Sequence, residues 1–437
     1  MSSDVNQLNL SAEPYNDTFN FKKSILICSV PILFFFIESL RANSFASLAL
    51  IIMHHFNIDA YLYAKISSAY LWGNILFLIP FGVLLDRFSS KSILFTAVLI
   101  CISSNVALGL SRNYQQMLIF SFIAGVGASA GFILAAKLIK EWFPPRYLAF
   151  MVGILVSAAM VGGILAQTPV LYFIQHYSWR MLFFVLASFE ILILILSLIF
   201  IEDSKNPQIK QPTKQSIFQT IKNLWYTIKC PVNWIGGLFA SLMNLPVTLI
   251  GALWGQPYLQ TVDHLSAATS SFIVSLMFIG VIIGSPLVGS LSDKFQSRKL
   301  FMILGAIVSL ILSLSIVYIT IKSTIILTII FLLLGLASSV QSLGYTVVSE
   351  NNPLHRIGVA MSFTGMIVMC GGALLQPYMG RLLDQNRLGA AENVLQYGAV
   401  DFQHAFTVLP ISFTIALLLV LALWAKDKRV RWLGEYR

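Results

Sequence analysis

The chain has 437 residues, 57% of them hydrophobic and 11% charged, with a formal net charge of +10 at pH 7. Soluble domains carry about 25% charged residues, so a water-soluble globular protein is excluded. Apolar runs of about twenty residues recur along the whole length, each long enough to cross a hydrocarbon core, whereas a β-barrel shows short alternating segments. The composition predicts an all-α membrane protein.

Residues 1–22 are polar and lack the charged-then-apolar order of a signal peptide, so they read as a cytoplasmic N-terminal tail. Span 1, at about 24–50, carries Glu38 and Arg41 in its middle. A charge at the bilayer centre costs about 2.5–3.5 kcal/mol, so such residues line a pathway or pair inside a bundle. Spaced i, i+3, the two share a helix face and partly neutralise each other. Together they suit a solute carrying both charges; the competing reading is a structural pair fastening one helix to another. Spans 2 to 6 follow at about 62–84, 92–111, 117–140, 148–172 and 180–201. Lys137 lies near the end of span 4, where its stem can snorkel to the headgroups. Glu190, mid-span 6, sits among apolar residues as a protonated carboxyl or half of a helix pair.

Residues 202–230 form the longest polar interruption, rich in lysine, and read as a cytoplasmic linker. Spans 7 to 12 follow at about 233–256, 269–290, 300–320, 324–348, 357–380 and 405–425, and residues 426–437 form a basic tail. Lys22, Lys23, the linker lysines and the basic tail all fall on one side, while 51–60 and 258–268 carry no Lys or Arg. Both termini are therefore expected in the cytoplasm. The positive charge follows from this asymmetry, so no nucleic-acid partner is expected. Cys28, Cys101 and Cys370 fall inside spans and Cys230 borders the linker, with no metal-ligand spacing; His54 and His55 read as interfacial. No metal or cofactor is expected.

The two halves repeat each other. Gly82-Val83-Leu84-Leu85-Asp86-Arg87 with Lys91 after span 2 is answered, 207 residues on, by Gly289-Ser290-Leu291-Ser292-Asp293-Lys294 with Arg298 after span 8. Gly162-Gly163-Ile164-Leu165-Ala166-Gln167 is answered 209 residues on by Gly371-Gly372-Ala373-Leu374-Leu375-Gln376. Glu141 and Pro144 are matched at the same distance by Glu350 and Pro353. Three ordered matches at nearly one offset predict two six-helix bundles, 23–201 and 231–425, related by an axis along the membrane normal.

At this point residues 23–425 resemble the major facilitator superfamily. The loop after span 2 is similar to its signature, Gly-x-x-x-Asp-Arg-x-Gly-Arg-Lys, departing from it at Ser89 and Ser90. A narrower resemblance rests on Phe36-Ile37-Glu38-Ser39-Leu40-Arg41, on Lys137 followed by Trp142-Phe143-Pro144-Pro145-Arg146, and on Ala252-Leu253-Trp254-Gly255-Gln256-Pro257. These look like the phagosomal nutrient transporters of intracellular bacteria, which take up amino acids or nucleosides, with siderophore carriers among their relatives. Ser121 stands where members often carry an arginine in span 4, which leaves the energy source open.

The resemblance implies a secondary transporter of the bacterial inner membrane rather than an enzyme. It works by alternating access, as a monomer in the lipid bilayer, on a small-molecule solute together with a coupling proton. An amino acid is the expected solute; nucleoside or siderophore uptake, or efflux, is the alternative. Spans 1, 4, 7 and 10 would line the cavity, with Glu38, Arg41, Asn43, Asn244, Gln341 and Tyr345 as solute-binding candidates and Glu38 and Glu190 as proton carriers. Pro246 can break span 7 and free backbone carbonyls. Asp86 with Arg146, Arg87 with Glu141, and Asp293, Lys294, Glu350 and Arg356 in the second half are expected to form a cytoplasmic gate.

Overall fold

The computed structural model describes residues 21–85, 87–202, 217–319, 321, 323–353, 356–385 and 397–434. Among these residues twelve helices are long and apolar enough to cross a membrane. Spans 1 to 6 are Phe21–Asn43, Ala60–Leu85, Ser90–Leu110, Tyr114–Trp142, Arg146–His176 and Trp179–Phe200. Spans 7 to 12 are Pro231–Thr261, Ala267–Lys294, Arg298–Tyr318, Thr324–Glu350, Ile357–Gln385 and Ala399–Leu423. Asp86 and residues 203–216 lie outside the described residues, as do 1–20 of the expected tail.

The alternating course of the spans gives the molecule two sides. The loops after spans 2, 4, 8 and 10 share one, called here the signature side; the loops after spans 1, 7 and 11 share the far side. Large apolar side chains such as Ile199 and Ile325 stay exposed, as expected of helices whose outer faces meet lipid tails. Within the first bundle, spans 2 and 4 come together where Gly125 lies directly under the Tyr70 carbonyl. A Cβ there would collide with backbone, so only glycine permits that approach.

Several spans expected as single helices are interrupted, and the cause is local. Span 1 stops at Asn43 and resumes as Phe45–Phe56, with the Ser44 hydroxyl bonded back to the Leu40 carbonyl at 2.7 Å. Span 5 breaks at Gln167, where Pro169 cannot donate to the turn before it. Span 7 changes character at Pro246, becoming a π-helix over Pro246–Trp254 before Gly255–Thr261 resumes the α form. The linker is not polar loop throughout. Its second part folds as a helix, Ile217–Lys229, with Trp225 and Tyr226 exposed. The Lys229 ammonium lies 4.7 Å from the Trp225 ring centroid, a combination suited to the headgroup level.

Candidate functional site

The centre of the first bundle is polar. Glu38 and Arg41 on span 1 are each 1% exposed and Glu190 on span 6 is 0% exposed. The Arg41 guanidinium is ion-paired to Glu38 and lies 3.4 Å from the Ala124 carbonyl of span 4. Its face rests on the Tyr70 ring of span 2, 4.5 Å from the centroid, a cation–π contact that desolvation strengthens. Glu190 Oε1 accepts a hydrogen bond from the Asn105 amide of span 3 at 2.7 Å. Carboxylate oxygens of Glu38 and Glu190 and the Cys101 sulfur all lie within 4.8 Å of one another. Five helices thus converge on two carboxyls and one guanidinium.

This arrangement answers what the sequence left open about Glu190: it belongs with the pair on span 1. Several atoms of the cluster are buried without a partner, namely Glu38 Oε1, Arg41 Nε and Nη1 and Glu190 Oε2. The trio Glu38, Cys101 and Glu190 has donor atoms close enough for a cation. The guanidinium already supplies positive charge at that point, so the group does not read as a metal centre.

The other expected solute ligands lie elsewhere. Asn43 is half-buried and donates to the Ser39 carbonyl of its own helix at 2.8 Å. Asn244 is half-buried just before the π-helix, and Gln341 and Tyr345 are half-buried in the last part of span 10. Span 7 meets span 10 at Gly236 and Gly344, so these three candidates stand on two neighbouring helices of the second bundle.

On the signature side Arg298 and Lys137 tie helices of the same bundle together. Arg298 pairs with Asp293 and, at 3.1 Å, with Glu350, joining spans 8, 9 and 10. Arg298 was not among the expected gate residues, although it is the second base of the repeated loop motif. Glu141 lies 3.9 Å from the Lys137 ammonium, and Lys137 donates to the Leu85 carbonyl at the end of span 2 instead of snorkelling outward. A cation at a helix C-terminus is favoured by the free carbonyls there. The Arg146 guanidinium covers the Tyr147 ring and that of Arg356 covers Tyr226, each 4.9 Å from the centroid. Arg87, Asp293 and Lys294 are exposed. The expected partner Asp86 lies outside the described residues.

Between described residues, the hydrogen bonds that join the two bundles lie in the far half. Asp384 of span 11 accepts from the backbone N–H of Ala60 at 3.2 Å and of Tyr61 at 2.8 Å, capping the start of span 2. The Tyr397 hydroxyl donates to Asp384 at 2.9 Å, and Arg381 donates to the Tyr61 hydroxyl at 3.1 Å. Ser68 donates at 2.6 Å to the Ala373 carbonyl, the one that Pro377 leaves without its helical donor. Thr168 and Ser271 bond at 3.1 Å, and Gln167, Gln256 and Ser47 complete the seal.

Comparison with known proteins bears on the fold. The chain is 23% identical over 228 residues to a protein described as the putative transporter AraJ of Escherichia coli K12, a match spanning 52% of this chain and 55% of that relative. The chain therefore spans about half the length of that curated relative. A bacterial homologue of the human lysosomal transporter Spinster, solved inward-facing and unoccupied, superposes with a TM-score of 0.71 at 16% identity, covering 92% of this chain and 96% of that one. The D-xylose–proton symporter superposes with a TM-score of 0.70 at 17% identity, over 92% and 97% of the two chains. The family profile matches residues 31–375 and 237–435. Twelve spans in two repeats, a repeated signature loop and that match lead to one conclusion: this chain belongs to the Major Facilitator Superfamily.

Proposed function

We propose that the chain is a proton-coupled importer of a small polar metabolite, an amino acid, acting as a monomer in a bacterial inner membrane with both termini in the cytoplasm. The observation that carries the coupling is the burial of Glu38, Glu190 and Arg41 in one cluster. With both carboxyls ionised, the cluster holds one uncompensated negative charge away from water, at a cost of several kcal/mol. One proton held between Glu38 and Glu190 removes that charge. Arg41 reaches the Ala124 carbonyl on span 4, close to Ser121. A cation beside the carboxyls is thus present although span 4 supplies none there. The likeness to a structure described as a proton symporter accords with this reading.

Glu38 and Arg41 are assigned to the proton because both are closed off from solvent. Asn43, Asn244, Gln341 and Tyr345 are half-buried and keep donors and acceptors suited to the solute. The choice of an amino acid rests on the resemblance to the phagosomal nutrient transporters. Uptake of a radiolabelled amino-acid panel into proteoliposomes under an inward proton gradient tests both parts. At least one amino acid should accumulate, and Glu38→Gln should abolish accumulation while sparing exchange across the membrane. Undiminished uphill uptake by Glu38→Gln would remove Glu38 from the proton path. Uptake of nucleosides alone would overturn the amino-acid assignment.

A further inference from the structure

The π-helical stretch of span 7 draws two side chains to its backbone. A π turn is a wide turn, rare in general and frequent at functional sites. Here Pro246 opens it and Pro257 follows it, so two positions in this region donate no backbone hydrogen bond. Two carbonyls inside the stretch accept from glutamines. Gln376 Nε2 on span 11 donates to the Thr248 carbonyl at 3.0 Å, and Gln167 Nε2 on span 5 donates to the Gly251 carbonyl at 2.9 Å. Both glutamines are buried, 2% and 0% exposed. They occupy the same position of the internal repeat, 209 residues apart. Each bundle therefore sends its own copy of one residue to a single short piece of backbone.

The two copies differ in what else they hold. Gln376 Oε1 is buried without a partner. Gln167 Oε1 accepts from Gln256 Nε2 at 2.7 Å, and the same amide donates to the Ser47 hydroxyl at 2.9 Å. Ser47 donates in turn to the Ala166 carbonyl at 3.0 Å, at the break in span 5. Ser47 and Gln256 are also 209 residues apart, so their bond joins equivalent positions of the two halves.

We propose that Gln167 is the latch that couples the π-helical stretch to the state of the transporter, while Gln376 is its permanent support. Gln376 and Thr248 belong to the same bundle, so their bond travels with that bundle and holds the π turn through the whole cycle. Gln167 belongs to the other bundle. Rocking that opens the far side must pull it off Gly251 and off Gln256 together, and water then takes over the freed carbonyl. The bonds of Gln167 accordingly favour the far-closed state, and they set how readily span 7 is released. Gln167 acts in this way whenever the two bundles rock against each other, whatever the solute and whether or not a proton is carried.

Spin labels at Arg112 and Ile319, exposed on the far side of the first and second bundles, report the opening as a distance distribution in the purified full-length protein. Gln167→Met keeps length and removes the hydrogen bonds. It should raise the ratio of long-distance to short-distance molecules by about 5- to 30-fold, the weight of one or two net hydrogen bonds. Gln376→Met should leave the distribution as in the parent while lowering the transport rate. Gln256→Met removes the partner of Gln167 from the opposite bundle and must shift the distribution in the same direction, which keeps the test decisive if Gln167→Met does not fold. An unchanged distribution in the folded Gln167→Met or Gln256→Met protein overturns the proposal, and so does an equal shift in Gln376→Met.

Discussion

Arg41 is a fully buried cation of the first bundle. It is enclosed by Glu38, the Tyr70 ring and the Ala124 carbonyl, with Glu190 beside its partner. Removing one member of a buried ion pair costs about 3–5 kcal/mol, whereas replacing both members by groups of similar volume is often neutral. Arg41→Met should therefore lower the thermal stability of the purified protein sharply, and adding Glu38→Gln should restore most of it. A double variant no more stable than the single one would mean that charge compensation is not what Arg41 provides. Asp263, in the loop after span 7, gives a second residue-level test. Burial pushes its carboxyl up to about 6, with the neighbouring His264 acting in the opposite sense. Its ionised form is thus disfavoured in the folded protein, a cost present above about pH 6 and gone once pH falls below the ordinary carboxylate value near 3.8. Asp263→Asn should raise the unfolding temperature at pH 7.5, and the gain should vanish near pH 4. A gain of equal size at both values would contradict the assignment.

At the scale of the elements, the capping of span 2 by a carboxylate from the opposite bundle is the clearest lock. Asp384 accepts from the first two N–H groups of that helix, where the helix dipole is positive and intrahelical acceptors are missing. Hydrogen bonds to a charged group contribute about 1.5–3 kcal/mol. Asp384→Ala should accelerate deuterium exchange of the amides at Ala60 and Tyr61 by at least about tenfold, with the amides in the middle of span 2 unaffected. Unchanged exchange at Ala60 and Tyr61 would mean that water, together with the Tyr397 hydroxyl already 2.9 Å from the Ala60 N–H, satisfies the helix start without the carboxylate. The sequence located the twelve spans because each is a long apolar run, although span 1 ends at Asn43 rather than at about 50 and span 12 begins at Ala399 rather than at about 405, and it marked Pro246 as a break. It did not show that the break is a π turn, since residue types alone do not distinguish i+5 from i+4 bonding. Gln167 and Gln376 stood out as equivalents in the repeat, but their acceptors are backbone carbonyls that carry no sequence signature. Arg298 was visible as part of the loop motif, and its partners depended on how three helices end together.

At the scale of the whole molecule, the twelve spans and the twofold repeat were legible because membrane burial imposes length and composition on each helix. The polar cluster was legible only in part. Glu38 and Arg41 are neighbours in sequence, while Glu190 joins them from 149 residues away through the packing of spans 1 and 6. In the proposed function these three buried charged groups join fold to transport, because one proton would neutralise the odd charge among them. The most direct test of that claim is solute-driven proton movement in proteoliposomes with no imposed gradient, read by a trapped pH-sensitive dye. Adding the transported amino acid should acidify the lumen of vesicles carrying the parent protein. Vesicles carrying Glu190→Gln should take the solute up by exchange with no acidification. Equal acidification by Glu190→Gln, or uptake by the parent protein that follows sodium and moves no proton, would contradict the account.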